Sequence, residues 1–236
     1  MLLTIPAILF LLLTGNISTM KPIHPVTIYR PEFTNIDLEC NTRPAPDQKD
    51  IVFCGAAAFT RIYGWETFSH DLVAGSHVSH GVYHSGYDCK ETDTQVGNTG
   101  TFVWYDGKWK ILLGGAEDEK RKAAEHGGMA FSEEMIIHNH QYFHNQLTER
   151  YRDKEGAYRV IADKEGELVI VEADSLTFGE FVEQLLNLFI REALFIDTGS
   201  VRYSFVRRNG VLQELYPEAK DFKYATNWIV FYKKQE

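Results

Sequence analysis

The chain is poor in cysteine, poor in basic charge, and short of long apolar runs. Three cysteines, Cys40, Cys54 and Cys89, stand among 236 residues. An odd number this small builds no disulfide scaffold. Lys and Arg number 24 against 33 Asp and Glu, a net charge of −9. A chain of that sign lacks the basic face that non-specific nucleic-acid binding needs. The longest apolar run, Leu2 to Leu13, falls short of the roughly 20 residues that span a bilayer, so no stable membrane insertion is expected. Internal repeats and low-complexity linkers are absent. What is present is an ordinary globular mix, 44% hydrophobic and 24% charged, which excludes a disordered or collagen-like chain. The length suits one to two domains at roughly 150 residues each. An aromatic content of 13% suits a sheet-rich protein, because aromatic residues are enriched in strands.

The Leu2–Leu13 run fits the apolar region of a signal peptide, with Thr14 to Thr19 as the polar stretch that would hold the cleavage site. Residues 1–19 are therefore expected to be a signal peptide and the chain to be exported, to the periplasm or outside the cell. A buried N-terminal strand or helix, or a start at Met20, are the competing readings. Residues 20–49 form an N-terminal lead-in, and 50–236 the main domain. Export would permit a disulfide, with Cys40–Cys54 and Cys40–Cys89 the simplest pairings.

Strand and turn signals follow. Ile51 to Phe59 is short and apolar, a buried strand running into small residues. Gly64 to Gly100 reads as long functional loops with short strands. Asp106-Gly107, Lys164-Glu165-Gly166 and Asn209-Gly210 each sit between two apolar runs and predict three hairpins. Glu117 to His126 is a charged helix stopped by Gly127-Gly128. Thr177 with Glu180 makes a capping box. The stripe Phe178, Phe181, Val182, Leu185, Leu186, Phe189 then predicts a helix with one apolar face. The pattern predicts an α+β fold: a single domain with one mixed, largely antiparallel sheet, hairpins, and two or three helices.

Several constellations carry chemistry. Asp197-Thr198-Gly199-Ser200 ends a strand with a carboxylate followed by small residues, which let a ligand approach the backbone. The competing reading is a turn in which Asp197 bonds local N–H groups. Arg159 lies inside the apolar strand Tyr158 to Ala162 and must find an anion, because an unpaired buried charge is costly. Its partner is either a structural carboxylate such as Asp197 or a substrate phosphate, which guanidinium grips bidentately. Glu133 and Glu134 precede Met135-Ile136-Ile137, and alternation turns one inward, where it can act as general acid or base. Gly55 allows close backbone approach, and Asn98, Thr99 and Gly100 carry amide and hydroxyl groups to the same strand start. His70, His77, His80 and His84 form one histidine group; His138, His140 and His144 form another. Zinc accepts such ligands, but no helical HExxH is present, and surface or hydrogen-bonded histidines are the preferred reading. No cofactor is expected.

In order and spacing, these motifs resemble the phosphodiester glycosidase family. The match runs from Ile51–Phe59, like the family's strand and Asn-Gly-Gly-Phe-Phe turn, through Asn98–Phe102, Gly127–Phe131 and Tyr158–Val171 to the Phe178–Phe189 helix and Ala193–Ser200. It covers about residues 50 to 232, in a form similar to exported proteins of Bacteroides-type bacteria. Two departures stand out: the turn Asn is replaced by Cys54 or shifted, and the Asp-Gly-Gly-Gly-Ser turn has lost two glycines. The resemblance implies hydrolysis of a sugar-1-phosphodiester, with that glycan diester as partner. Arg159 would hold the phosphate, and Asp197 would orient Arg159 or act as a carboxylate at the anomeric centre. Glu134, or Glu133, would be the second carboxylate. Asn98, Thr99 and Ser200, with Gly55 and Gly199 as close-approach points, would bind the substrate, and His77 would lie on the rim. On this basis Asp197→Asn and Arg159→Ala are expected to abolish sugar release without unfolding the chain. A non-catalytic carbohydrate- or phosphate-binding module on the same fold, and a histidine-based metallohydrolase, are the alternatives.

Overall fold

A computed structural model describes residues 26–58, 73, 75–86, 99–143, 152–196, 198, 202–219 and 226–233. Residues 1–19, expected from sequence to be a signal peptide, and Asn98, Asp197, Gly199, Ser200, His70, His144 and Cys89 lie outside the described residues.

Two antiparallel sheets form the body. The first has ten strands. Its main path runs β1 (Thr27–Tyr29), β11 (Glu167–Thr177), β10 (Glu155–Lys164), β12 (Glu192–Phe195), β8 (Met129–His138), β4 (His77–Ser79), β5 (Val82–His84). Strands β6 (Thr99–Tyr105) and β9 (Gln141–Tyr142) also pair with β8, and β7 (Lys108–Leu113) pairs with β6. The second sheet orders β14 (Val211–Leu215), β13 (Ser204–Arg208), β3 (Ile51–Ala56), β15 (Asn227–Tyr232) and β2 (Asn35–Cys40).

This corrects the α+β expectation. Strand holds 54% of the described residues and helix 14%, so the fold is mostly β, built on two sheets rather than one. The physical reason lies in the core. Ile161, Ile170, Leu194, Met135 and Phe131 of the first sheet pack with Ile36, Leu38, Phe53, Val206, Ile229 and Phe231 of the second. Each sheet covers the other's inner face, and helices are needed only on outer faces.

Helices α1 (Glu117–Glu125) and α2 (Phe178–Asn187) serve that purpose. Phe178, Phe181, Val182 and Leu185 of α2 bury against Val160, Ala162, Val169 and Val171 on the first sheet's outer face. The capping box is present: Thr177 Oγ1 accepts from the Glu180 N–H at 3.2 Å, and the Thr177 N–H donates to Glu180 Oε2 at 2.8 Å. The predicted stripe, however, stops short of Phe189, which has left the helix with φ +57° and is 71% exposed. Thr177→Ala is expected to cost about 1 kcal/mol in a urea-unfolding measurement, with the native spectrum unchanged.

The three predicted hairpins form. Asp106-Gly107, Glu165-Gly166 and Asn209-Gly210 all have positive φ at both positions, the two-residue turn that matches strand twist. A fourth closes at Asn139-His140, φ +51° and +62°. His138 and His140 therefore do not alternate along one strand. Cys54 is a free, buried thiol, pushed up by burial. Cys54 faces Val230 and Cys40 faces Asn227, on opposite sides of β15. Two strand spacings, roughly 10 Å, exceed what a disulfide spans, so the Cys40–Cys54 pairing is excluded.

Candidate functional site

Arg159 is the largest fully buried side chain, with no exposed surface. It lies on the inner face of β10, on the same side as Ile161, because residues two apart share a face. The hairpin register sets Glu172 of β11 directly opposite. Arg159 Nε donates to Glu172 Oε2 at 2.6 Å. Nη2 crosses to the second sheet, donating to the Arg202 carbonyl and to Ser204 Oγ, each at 2.8 Å. Arg159 thus clasps the two sheets together. Its Nη1 has no hydrogen-bond partner among the described residues. That nitrogen lies over Gly55 of β3: a Cβ there would sit 3.2 Å from Nη1 and 3.2 Å from the Phe53 ring. Glycine at 55 permits this close approach of side chain to backbone.

Two tyrosines complete the surroundings. Burial, then the Glu172 carboxylate, pushes the Tyr29 hydroxyl up to about 12, with Arg159 opposing. Tyr216 is pushed up as well, by burial and then by Glu172. Its backbone is left-handed at φ +53°. The Arg202 guanidinium lies 4.9 Å over its ring and pairs with Glu218 at 2.7 Å.

The residues flanking position 197 are fixed at the end of β12. The Ile196 N–H donates to the Arg159 carbonyl at 3.1 Å, and buried Thr198 donates to the Ala157 carbonyl at 2.9 Å. The chain on both sides of position 197 is therefore held against β10 next to Arg159. On the far side of β12, Leu194 pairs with Met135 of β8, and Thr99 of β6 pairs with Glu134. The backbones at Arg159 and Glu134 are separated by two strand spacings, roughly 10 Å.

Of the two glutamates, Glu133 is buried and shares the inner face of Met135 and Phe131; Glu134 faces the opposite way and is only partly buried. The residue aligned with the Arg159 side of the sheet is thus Glu133. His77 is buried, its Nδ1 lies 3.1 Å from the Gly75 carbonyl, and its ring stacks on His84. It stands on β4, three strands from β10 or roughly 14 Å, so it is not adjacent to Arg159.

His138 has a structural partner: its Nδ1 lies 2.9 Å from Glu192. No group of three His, Cys, Asp or Glu arranged for a metal ion occurs among the described residues. Glu172, Ser204 and Tyr216 escaped the sequence reading. For Glu172 the signal was available: a two-residue turn at Glu165-Gly166 pairs Lys164 with Glu167, and hence Arg159 with Glu172.

No protein-family model and no curated protein matches this chain. Among solved structures, it is similar to the zebrafish N-acetylglucosamine-1-phosphodiester alpha-N-acetylglucosaminidase catalytic domain, described as auto-inhibited by its pro-peptide. Identity is 13% and the TM-score 0.61, over 92% of this chain and 85% of that one. A hypothetical protein from Synechocystis aligns at 13% identity and TM-score 0.47, over 89% of this chain and 57% of that one. The relationship to the zebrafish enzyme is distant and concerns the fold.

Proposed function

We propose that the chain is an exported hydrolase of sugar-1-phosphodiesters, acting where the end of β12 meets Arg159 and Gly55. The observation that carries this reading is Arg159 Nη1, a buried cationic donor over a glycine with no partner among the described residues, on a fold similar to a phosphodiester glycosidase catalytic domain. Charge-assisted bonds of this kind are roughly twice as strong as neutral ones. Three of the five Arg159 N–H groups bond within the protein, so its grip on a phosphate oxygen is through the two N–H groups of Nη1.

Asp197 acts at the anomeric centre or orients Arg159, and Glu133 or Glu134 supplies the second carboxylate of a glycosidase pair. Asn98, Thr99 and Ser200 donate to sugar hydroxyls or phosphate oxygens. The net charge of −9 repels an anionic substrate at long range, which leaves recognition to these local donors.

The test is a panel of glycosyl phosphodiesters, including UDP-GlcNAc and GlcNAc-1-phosphate diesters, followed for both sugar release and calorimetric binding. Turnover of at least one member is expected. Binding without turnover would assign a carbohydrate- or phosphate-binding module instead, a reading favoured by the neutralisation of Arg159 by Glu172. Neither binding nor turnover would overturn the site.

A further inference from the structure

The β4–β5 hairpin turns at His80-Gly81, both with positive φ, +49° and +72°. On the first sheet, Val78 pairs with Ala130 and packs with Val103 and Ala123, and the Gly81 N–H donates to the Gly128 carbonyl at 3.0 Å. The hairpin tip also reaches β2, the edge strand of the second sheet. Ser79 Oγ donates to the Leu38 carbonyl at 2.7 Å. The His80 N–H donates to Asp37 Oδ1 at 3.0 Å. The His80 ring then sits between two carboxylates, Nδ1 at 2.7 Å from Asp37 Oδ2 and Nε2 at 3.1 Å from Glu39 Oε2.

An imidazole can donate from both nitrogens only as the cation. In the neutral ring, one nitrogen lone pair must face a carboxylate oxygen. Neither carboxylate is free to turn away. Asp37 Oδ1 also accepts from the Leu38 N–H at 2.8 Å, and Glu39 Oε1 accepts from the Tyr232 hydroxyl at 2.5 Å.

We propose that Asp37, His80 and Glu39 form a proton-dependent latch that pins the β4–β5 hairpin to the second sheet and loosens as pH rises past neutrality. The other charged groups on the elements packed against the hairpin are engaged elsewhere. On α1, Glu117 accepts from Ser76, Tyr83 and Lys120, and Arg121 lies over the Tyr83 ring. His126, just beyond α1, pairs with Asp106. Within the hairpin, His77 and His84 stack on each other.

Burial lowers the His80 value, but Asp37 and Glu39 more than offset it, so the ring titrates above its ordinary 6.5. Burial raises the Asp37 carboxyl above 3.8, with His80 opposing. For a histidine raised on folding, the stabilisation is fully present below the unfolded value and is lost as pH rises through the folded one. The raised Asp37 also favours low pH, but it titrates in the acid range.

The test is amide hydrogen exchange of residues 75–86 in the full chain between pH 6.0 and 8.5, corrected for intrinsic rates and referenced to amides of β10 and β11. Protection of the wild-type hairpin is expected to fall roughly two- to fivefold across that range, the scale of an exposed ion pair. In His80→Gln, protection is expected to start lower and stay flat; in Asp37→Asn it is expected to start lower and fall less than in wild type, since Glu39 still faces the ring. Wild-type protection that does not change with pH, or a wild-type-like pH dependence in both variants, would overturn the latch. The readout needs no substrate and stands whatever the enzymatic reading proves to be.

Discussion

Arg159→Ala is expected to lose sugar release and, in addition, to destabilise the fold by about 3–5 kcal/mol, because it strands a buried charge. Arg159 has no exposed surface, and Glu172 is only 6% exposed. Removing the guanidinium leaves the Glu172 carboxylate inside without its 2.6 Å donor, and Ser204 and the Arg202 carbonyl without theirs. For a chain of this size, Tm would drop by about 6–20 °C, at roughly 2–4 °C per kcal/mol. Sequence alone had suggested loss of activity with the fold intact; the clasp across two sheets revises that. Arg159→Ala combined with Glu172→Gln separates the two effects. The double variant should recover part of the stability, since the stranded charge is gone, yet remain inactive. A single variant melting within 2 °C of wild type would show that the pair is not the buried clasp described here.

Gly55→Ala is the second large effect. The added methyl would stand 3.2 Å from Arg159 Nη1 and 3.2 Å from the Phe53 ring, tighter than ordinary van der Waals contact. The neighbours have little room to give. Nη2 and Nε of Arg159 are tied on two sheets, and Phe53 packs edge-on against Phe231, centroids 5.7 Å apart. A cost of about 1–3 kcal/mol is expected, as for overpacking in a closed core. Because the methyl occupies the space in front of Arg159 Nη1, which has no partner among the described residues, ligand affinity should fall further than stability does. Urea unfolding and calorimetric titration, run on the same preparation, check both numbers. Unchanged affinity would mean that no ligand atom approaches Nη1 over Gly55.

Much of the local structure was legible because local chemistry decides it. The dipeptides Asp106-Gly107 and Asn209-Gly210 adopt left-handed backbone at little cost, so their hairpins could be read directly. The α2 capping box was equally plain in Thr177 and Glu180. The second sheet was not legible. β3 pairs with β13 and β15, far away in sequence, and runs such as Ile51–Ala56 are buried on both faces, so no alternation says which sheet they join. Arg159 announced its need for an anion, and the residue that answers it, Glu172, was obtainable by counting across the Glu165-Gly166 turn. Alternation from Phe131 through Glu133 to Met135 places Glu133 on the inner face, and the irregularity between β8 and β12, where Ala193 pairs with Ile137 but Leu194 with Met135, falls beyond it.

The most direct test of the site is sugar release from a GlcNAc-1-phosphate diester by wild-type protein and by Asp197→Asn, compared at equal Tm. Wild-type turnover with a loss of at least about a hundredfold in the variant, the scale of one acid–base group, is the expected result. A wild type that releases no sugar, or a variant that releases it as fast, would contradict the hydrolase centred on Asp197 and Arg159.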